Sequence, residues 1–348
     1  MTILGDKAFD DNSRQEETSW RGQDAHGYGQ ARRNLPVRTD ALTQLGRGKF
    51  DAKVTVVSGE DAALSHAVVG TRSSALTDLN EDYTAFLIPI AWDGTLVING
   101  EEATYSSIYM PVANTLYQVY GEAREILAVG IPRDDFIATV AALRGVGRDA
   151  VRLGEGGIEM APAILAKTRH KLAKILRTHY DAARQATWPS STEKMLTAHI
   201  LSTVTELYLH ARQATGSKVR VRPRYGLIVR KAEESFASAQ GHAVSLADLC
   251  TAAGVSQGTL YNAFLTMCDC TPIEYFKKRR LTEARIALLG ASAKHGAIKR
   301  AALGAGLTHL GRFAAEYRDL FNESPKTTLT RSLGCRLGPD KAKHGSSS

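Results

Sequence analysis

The chain has 4 cysteines in 348 residues, and none lies in the first 249 positions. Cys250, Cys268, Cys270 and Cys335 are too few and too clustered for a disulfide framework, so a reducing cytoplasm is the expected setting. A cysteine nucleophile in the front half is excluded, since no thiol is there to ionise. Cys268-x-Cys270 lacks a second Cys or His pair at zinc spacing, so no metal is expected. No run of about 18 apolar residues occurs, which argues against a membrane span and a membrane partner. Met1 to Asp6 show no basic segment followed by an apolar one, so no secretory leader is expected. Glycine-rich phosphate loops and a Gly-x-Ser-x-Gly turn are absent too. The sequence is therefore not read as an enzyme, and no cofactor is expected.

What is present is charge, unevenly placed. The net charge is +8. Residues 216–332 hold 18 Lys and Arg against 9 Asp and Glu, whereas residues 1–215 hold 23 against 26. A basic rear half on a slightly acidic front points to a polyanion. An RNA-binding or structural reading is less favoured. RNA recognition leans on stacked aromatics, and the aromatics of the basic half sit at helix-packing spacings.

The length predicts two domains with linkers. Residues 1–40 are polar and read as a flexible arm. Residues 41–150 carry short β-branched or aromatic runs, namely Lys53–Val57, Ala85–Ile90, Thr95–Asn99, Ser107–Met110, Leu116–Tyr120 and Ile126–Ile131. Turn pairs at Asp93-Gly94 and Asn99-Gly100 punctuate them, so a sandwich or small barrel is expected. Residues 155–215 read as helical. Leu196, Ile200, Val204 and Leu207 form a stripe, Ser191 is a candidate cap, and the helices pack on the strands or on a second copy of the chain. Residues 216–226 read as a basic linker, 227–332 as a helical domain, and 333–348 as a flexible tail.

That helical domain contains an internal repeat. Leu246, Leu249, Cys250 and Ala253 fall at i, i+3, i+4 and i+7, and Ile298, Ala301, Ala302 and Ala305 follow 52 residues later. Gly254 and Gly306 come next as candidate helix stops, then Ser256 and Thr308 as candidate caps of a second helix. Leu260 and Phe264 match Phe313 and Tyr317 at an offset of 53, so the second unit has one extra residue. Thr271-Pro272 and Ser324-Pro325 keep that offset, and Thr271-x-x-Glu274 forms a capping box. Each unit is a short helix, a tight turn and a capped second helix whose outer face stays free. That shape fits a major groove about 12 Å wide. The helix between the units carries Phe276, Leu281, Ala284 and Leu288 on one side and the cluster Lys277, Lys278, Arg279 and Arg280. The cluster reads either as a solvated face or as phosphate contacts.

On these residues the span Val244 to Leu329 resembles the AraC/XylS family of transcription regulators. Ser245 to Ser256, Gly258 to Phe264, Thr271-Pro272, Arg280-Leu281 and Ala284-Arg285 carry the match in the first unit and linking helix. Ala302 to Leu307, Gly311 to Phe313, Tyr317, Phe321 and Ser324-Pro325 carry it in the second. Leu307 departs from the family's usual Phe, Asn322 from its usual Gly, and Cys270 lies in a variable turn. Leu45-Gly-Arg-Gly-Lys-Phe50, followed by strands, resembles the ethanolamine-regulator-like branch.

The resemblance implies an α+β multidomain fold. An N-terminal cupin-like β barrel or sandwich with packed helices would precede an all-α tandem helix-turn-helix domain. His66 is the only histidine between residues 27 and 169, so the His-x-His cluster of metal-binding cupins is missing. The implied function is an effector-responsive activator that binds double-stranded DNA, with a repressor or dual regulator as the alternative. The implied partners are RNA polymerase, a small-molecule effector and a second copy of the chain in a homodimer. The implied DNA-facing residues are Ser256, Gln257, Gly258, Thr259, Tyr261 and Asn262 in the first unit. In the second they are Thr308, His309, Leu310, Gly311 and Arg312, and Lys277 and Arg280 lie between the units.

Overall fold

The apolar runs of the front half become strands of two antiparallel sheets. A computed structural model describes residues 37–111, 116–154, 156–183, 190–211, 223–239, 241–242, 244–291 and 295–336. Its strands are β1 (Val37–Gln44), β2 (Ala52–Ser58), β3 (Ala63–Val69), β4 (Ser73–Leu79), β5 (Tyr83–Trp92), β6 (Leu96–Ile98), β7 (Glu101–Glu102), β8 (Ser107–Met110), β9 (Leu116–Gly121), β10 (Arg124–Pro132) and β11 (Gly156–Glu159). One sheet runs β1-β4-β9-β6-β7 and the other β11-β8-β5-β10-β3-β2. Leu79, Ile98, Tyr117 and Val119 of the first sheet pack against Leu87, Tyr109 and Ile126 of the second. The arrangement is therefore a sandwich, and the closed barrel is not formed. β5 is buried along most of its length, as a central strand must be. It tolerates Pro89, which has no N–H to give, because the pairing with β10 bulges there, between Glu125 and Ile126.

The outer face of the six-stranded sheet is covered by α1 (Arg133–Arg144), α2 (Pro162–Ala183) and α3 (Ser190–Leu209). Leu165, Leu172, Leu176, Leu196, Ile200, Val204 and Leu207 all join the same buried cluster as Leu64, Ile88, Leu127 and Val129. Of the two partners expected for these helices, the strands take their apolar stripes.

The remaining helices are α4 (Pro223–Ser238), α5 (Leu246–Ala253), α6 (Gln257–Cys268), α7 (Pro272–Leu289), α8 (Ala297–Gly304), α9 (Leu310–Phe321) and α10 (Pro325–Arg336). They form two small cores. Leu249, Ala253, Leu260, Phe264, Tyr275 and Phe276 lie in one, while Leu281, Leu288, Ala302, Phe313, Tyr317 and Phe321 lie in the other. α7 supplies residues to both and is the strut between them.

Several boundaries differ from the sequence reading. β1 begins at Val37, inside the expected arm, because Val37, Arg38 and Thr39 pair with β4 ahead of a bulge at Asp40. The strands β3, β4, β7 and β11 also went unseen, being rich in small or polar residues. α4 begins at Pro223, inside the expected linker, and α10 continues to Arg336, inside the expected tail. Ser191 lies within α3, which starts at Ser190, so it does not precede the helix as a cap. The rest of the expected arm, most of the linker and the last twelve residues lie outside the described residues.

Candidate nucleic-acid interface

Local chemistry sets up the first helix-turn-helix unit. Ser245 and Asp248 make a reciprocal capping box at the start of α5, a signal the sequence reading passed over. α5 stops at Gly254 with φ 66°, a left-handed conformation that glycine adopts without a Cβ penalty. Ser256 then caps α6, accepting a hydrogen bond from the Thr259 amide at 3.3 Å. Leu260, Ala263 and Phe264 are buried, which leaves Gln257, Gly258 and Asn262 exposed and Thr259 and Tyr261 half-buried at their margin. Nothing lies within 4 Å of the place a Cβ would occupy on Gly258, so the helix start is open to close approach.

The second unit repeats this with one difference. Gly306 is again left-handed, at φ 73°. The residue before α9 is His309 rather than Thr308, and its side chain makes no capping hydrogen bond. The extra residue of the second unit falls in this turn and moves Thr308 out of capping position. Phe313 and Tyr317 are buried, and Tyr317 and Thr328 share a hydrogen bond between hydroxyls at 2.8 Å. Thr308, His309, Leu310, Gly311 and Arg312 are all exposed. α6 and α9 thus both present their N-terminal turns outward. Both also end on a left-handed polar residue, Asp269 at φ 47° and Asn322 at φ 55°, 53 positions apart. Asn is among the few residues with a side chain that take this conformation readily, so the departure from Gly is accommodated.

The basic cluster on α7 is not a free cationic face. Lys277 pairs with Glu316 at 2.7 Å, and Lys278 donates to the Leu45 carbonyl at 2.9 Å. Arg279 is buried between Glu233 and Glu283, at 3.5 and 3.3 Å. Arg280 donates to the carbonyls of Ala305, His242 and Gly241 and stacks on the Phe236 ring. The cluster is therefore largely engaged within the protein, with Lys277, Lys278 and Arg280 still half-buried at the surface. Arg312, 73% exposed, leans on the same Glu316 oxygen as Lys277 at 2.7 Å. Burial raises the Glu316 carboxyl, but hydrogen bonds from Lys277 and Arg312 outweigh it and hold the group below the ordinary glutamate value. Glu323 behaves the same way, with Arg331 and Arg285 on its two oxygens. Burial pushes the Cys270 thiol up to about 11 and raises the Cys268 thiol as well, so both favour the neutral form, a poor metal ligand. Among the described residues no group of His, Cys, Asp and Glu is arranged to hold a metal, and no helix is long and apolar enough to cross a membrane.

The front half docks on this domain through its five-stranded sheet. Leu45, Val97 and Tyr120 enter the core of the first helix-turn-helix unit. The Thr282 hydroxyl accepts from the Gln44 amide at 3.1 Å, and Gln118 donates to the Cys268 sulfur at 3.7 Å. None of these contacts has a local sequence signal, although the Leu45–Phe50 motif singled out above lies at their centre.

Comparison with known proteins finds relatives of part of the chain. Residues 249–331 match a family model described as a helix-turn-helix domain. Over 86 residues the chain is 41% identical to the XylDLEGF operon transcriptional activator of Pseudomonas putida, a stretch covering 25% of this chain and 27% of that relative. The chain thus spans about a quarter of that curated relative's length. The chain is 32% identical to a probable AraC family transcriptional regulator from Rhodopseudomonas palustris, of known crystal structure, covering 30% of this chain and 96% of the other, with TM-score 0.28. ToxT from Vibrio cholerae aligns over 85% of this chain and 98% of its own, at 14% identity and TM-score 0.30.

Proposed function

As the chain belongs to the AraC/XylS family of transcription regulators, we propose that it binds specific double-stranded DNA by placing α6 and α9 in successive major-groove segments. The observation that carries this reading is the pair of exposed N-terminal helix turns. They stand on equivalent scaffolds 53 residues apart, joined by one rigid strut. Asn262 is suited to a bidentate bond with adenine and Arg312 to guanine or a phosphate. Tyr261 and Leu310 offer apolar contact to thymine methyls. Ser256, Gln257, Thr259, Thr308 and His309 supply hydroxyl, amide and imidazole contacts at the groove edge. Gly258 and Gly311 let the backbone approach. Lys277 and Arg280 reach phosphates only by giving up the partners described above, so their main role is to hold the two units together.

In this reading the two-sheet domain, cupin-like in descent, is an effector-binding and dimerising module. The regulator activates transcription through contact with RNA polymerase. The test is selection of bound duplexes from a random library by the full chain, followed by footprinting. Two protected segments about 34 Å apart per subunit are expected, with affinity falling steeply as salt rises. A chain that folds but prefers no sequence over random duplex would overturn the reading.

A further inference from the structure

Two linked turns of the front half touch α9 and α6, each near the helix's C-terminal end. The Gly48 amide donates to the Leu320 carbonyl at 2.8 Å, and Gln44 Nε2 reaches the same carbonyl at 3.4 Å while bracing Gly46 and Gly48 at 2.9 and 2.8 Å. Leu320 is in the last turn of α9, where carbonyls lack helix partners and the helix end is partially negative. Arg47 sits beside it, 3.1 Å from Asp319. On the other side Arg72 places its guanidinium 3.0 Å from Asp269, the residue that ends α6. The two contacts are parts of one object. The amides of Leu45 and Gly46 both donate to the Arg72 carbonyl, at 2.8 and 2.9 Å. A Cβ on Gly46 would come within 3.0 Å of that of Arg72, and Gly48 has φ 115°, so the stitch depends on glycine at both places.

Building on the DNA-binding reading, we infer that this Gln44–Gly48 turn, fastened to Arg72, is a caliper. It fixes the distance and rotation between α6 and α9 and so makes operator spacing a property of the front half. Three observations favour this over simple occlusion. The turn grips the C-terminal end of α9, and Arg72, hydrogen-bonded to the turn, grips that of α6. The exposed residues Gln257, Gly258 and Asn262, and those from His309 to Arg312, lie toward the opposite ends, and from Asn262 to Asp269 an α-helix rises about 10 Å. The gripped points, Leu320 and Asp269, lie within two residues of equivalent positions of the repeat, so a single connected element registers one unit against the other.

The test uses the full chain and a duplex it selects from a random library, remade with one base pair inserted or deleted between the two protected segments. One base pair moves the far segment by about 3.4 Å and about a tenth of a turn. The wild-type chain should lose about 10-fold or more in affinity on either change, the scale of a mismatched contact. The variants are Arg72→Gln with Asp269→Asn, which changes exposed or half-buried polar groups only, and separately Gln44→Ala. Each should lose less than about 3-fold on the same changes, with a helical signal and melting temperature showing that it folds. Asp269→Asn alone, at a position 76% exposed, provides the version least able to disturb folding and should move discrimination in the same direction. Folded variants that keep the wild-type penalty would overturn the inference, as would variants that bind all spacings more tightly by the same factor, which is the mark of occlusion. A wild-type chain that selects no duplex would defeat the DNA-binding reading instead.

Discussion

Glu316→Gln isolates what Arg312 does. In the folded chain one Glu316 oxygen holds both Lys277 and Arg312 at 2.7 Å, and only Arg312 is well exposed. To reach a base or phosphate, Arg312 must leave that carboxylate, and an exposed pair of this kind is worth about 0.2–1 kcal/mol. Removing the negative charge removes that cost and one unit of repulsion toward DNA. At fixed salt the affinity for a selected duplex should rise by up to about 5-fold, the equivalent of 1 kcal/mol. Stability should fall slightly, because Lys277 and Glu316 bridge α7 and α9, by about 1 kcal/mol or less. Arg312→Ala should go the other way, weakening binding about 5- to 150-fold if the arginine makes a bidentate base contact. Fluorescence anisotropy across a salt series, with thermal melts of each variant, measures both. Weaker binding by folded Glu316→Gln, or unchanged binding by Arg312→Ala, would show that Arg312 does not face the groove.

Other consequences are open to direct measurement. Asn262→Ala should relax selection at one base position and cost about 1–3 kcal/mol of discrimination without a change in melting temperature, read by competition with duplexes altered at each position. Phe264→Ala, at a fully buried site stacked edge-on with Tyr275, should destabilise the chain by about 3–5 kcal/mol in denaturant titration. The Glu323 carboxyl lies below its ordinary value of 4.5 in the fold, so the folded state holds its proton more weakly than the unfolded one. Its contribution is complete above 4.5 and drains away as pH falls toward the lower folded value. Glu323→Gln should therefore flatten acid melting in that range while lowering stability at neutral pH. An unchanged acid limb would mean that Arg285 and Arg331 are not what holds the carboxylate.

The parts legible in sequence were those written in local chemistry. A hydroxyl three residues before an acid, as in Thr271 and Glu274, forms its capping box whatever surrounds it. The apolar spacing of the repeat sufficed for both α6 and α9, because each is short and one-sided. Cap placement failed at Thr308, where the added residue lies within a turn and periodicity has nothing to count. Strands such as β3 and β4 were hidden because Ser, Ala, Thr and His serve there as buried residues. His66 is one of them, bonded to Glu125 at 2.8 Å across neighbouring strands. The docking of Gln44 on residues more than 230 positions away has no signature in any window of the chain, since neither partner alone is unusual.

Leu45, Val97 and Tyr120 belong to the same buried cluster as Phe264 and Phe276, so the two halves share a core across what would otherwise be a domain boundary. Grafting the reader of one regulator onto the sensor of another is a common way to rewire gene circuits, and here a cut in the linker would not suffice. A chimera would expose part of that apolar surface unless it also carried the three front-half side chains, or residues shaped to replace them. Interchangeable parts, in this protein, begin at a seam that the order of the chain does not mark.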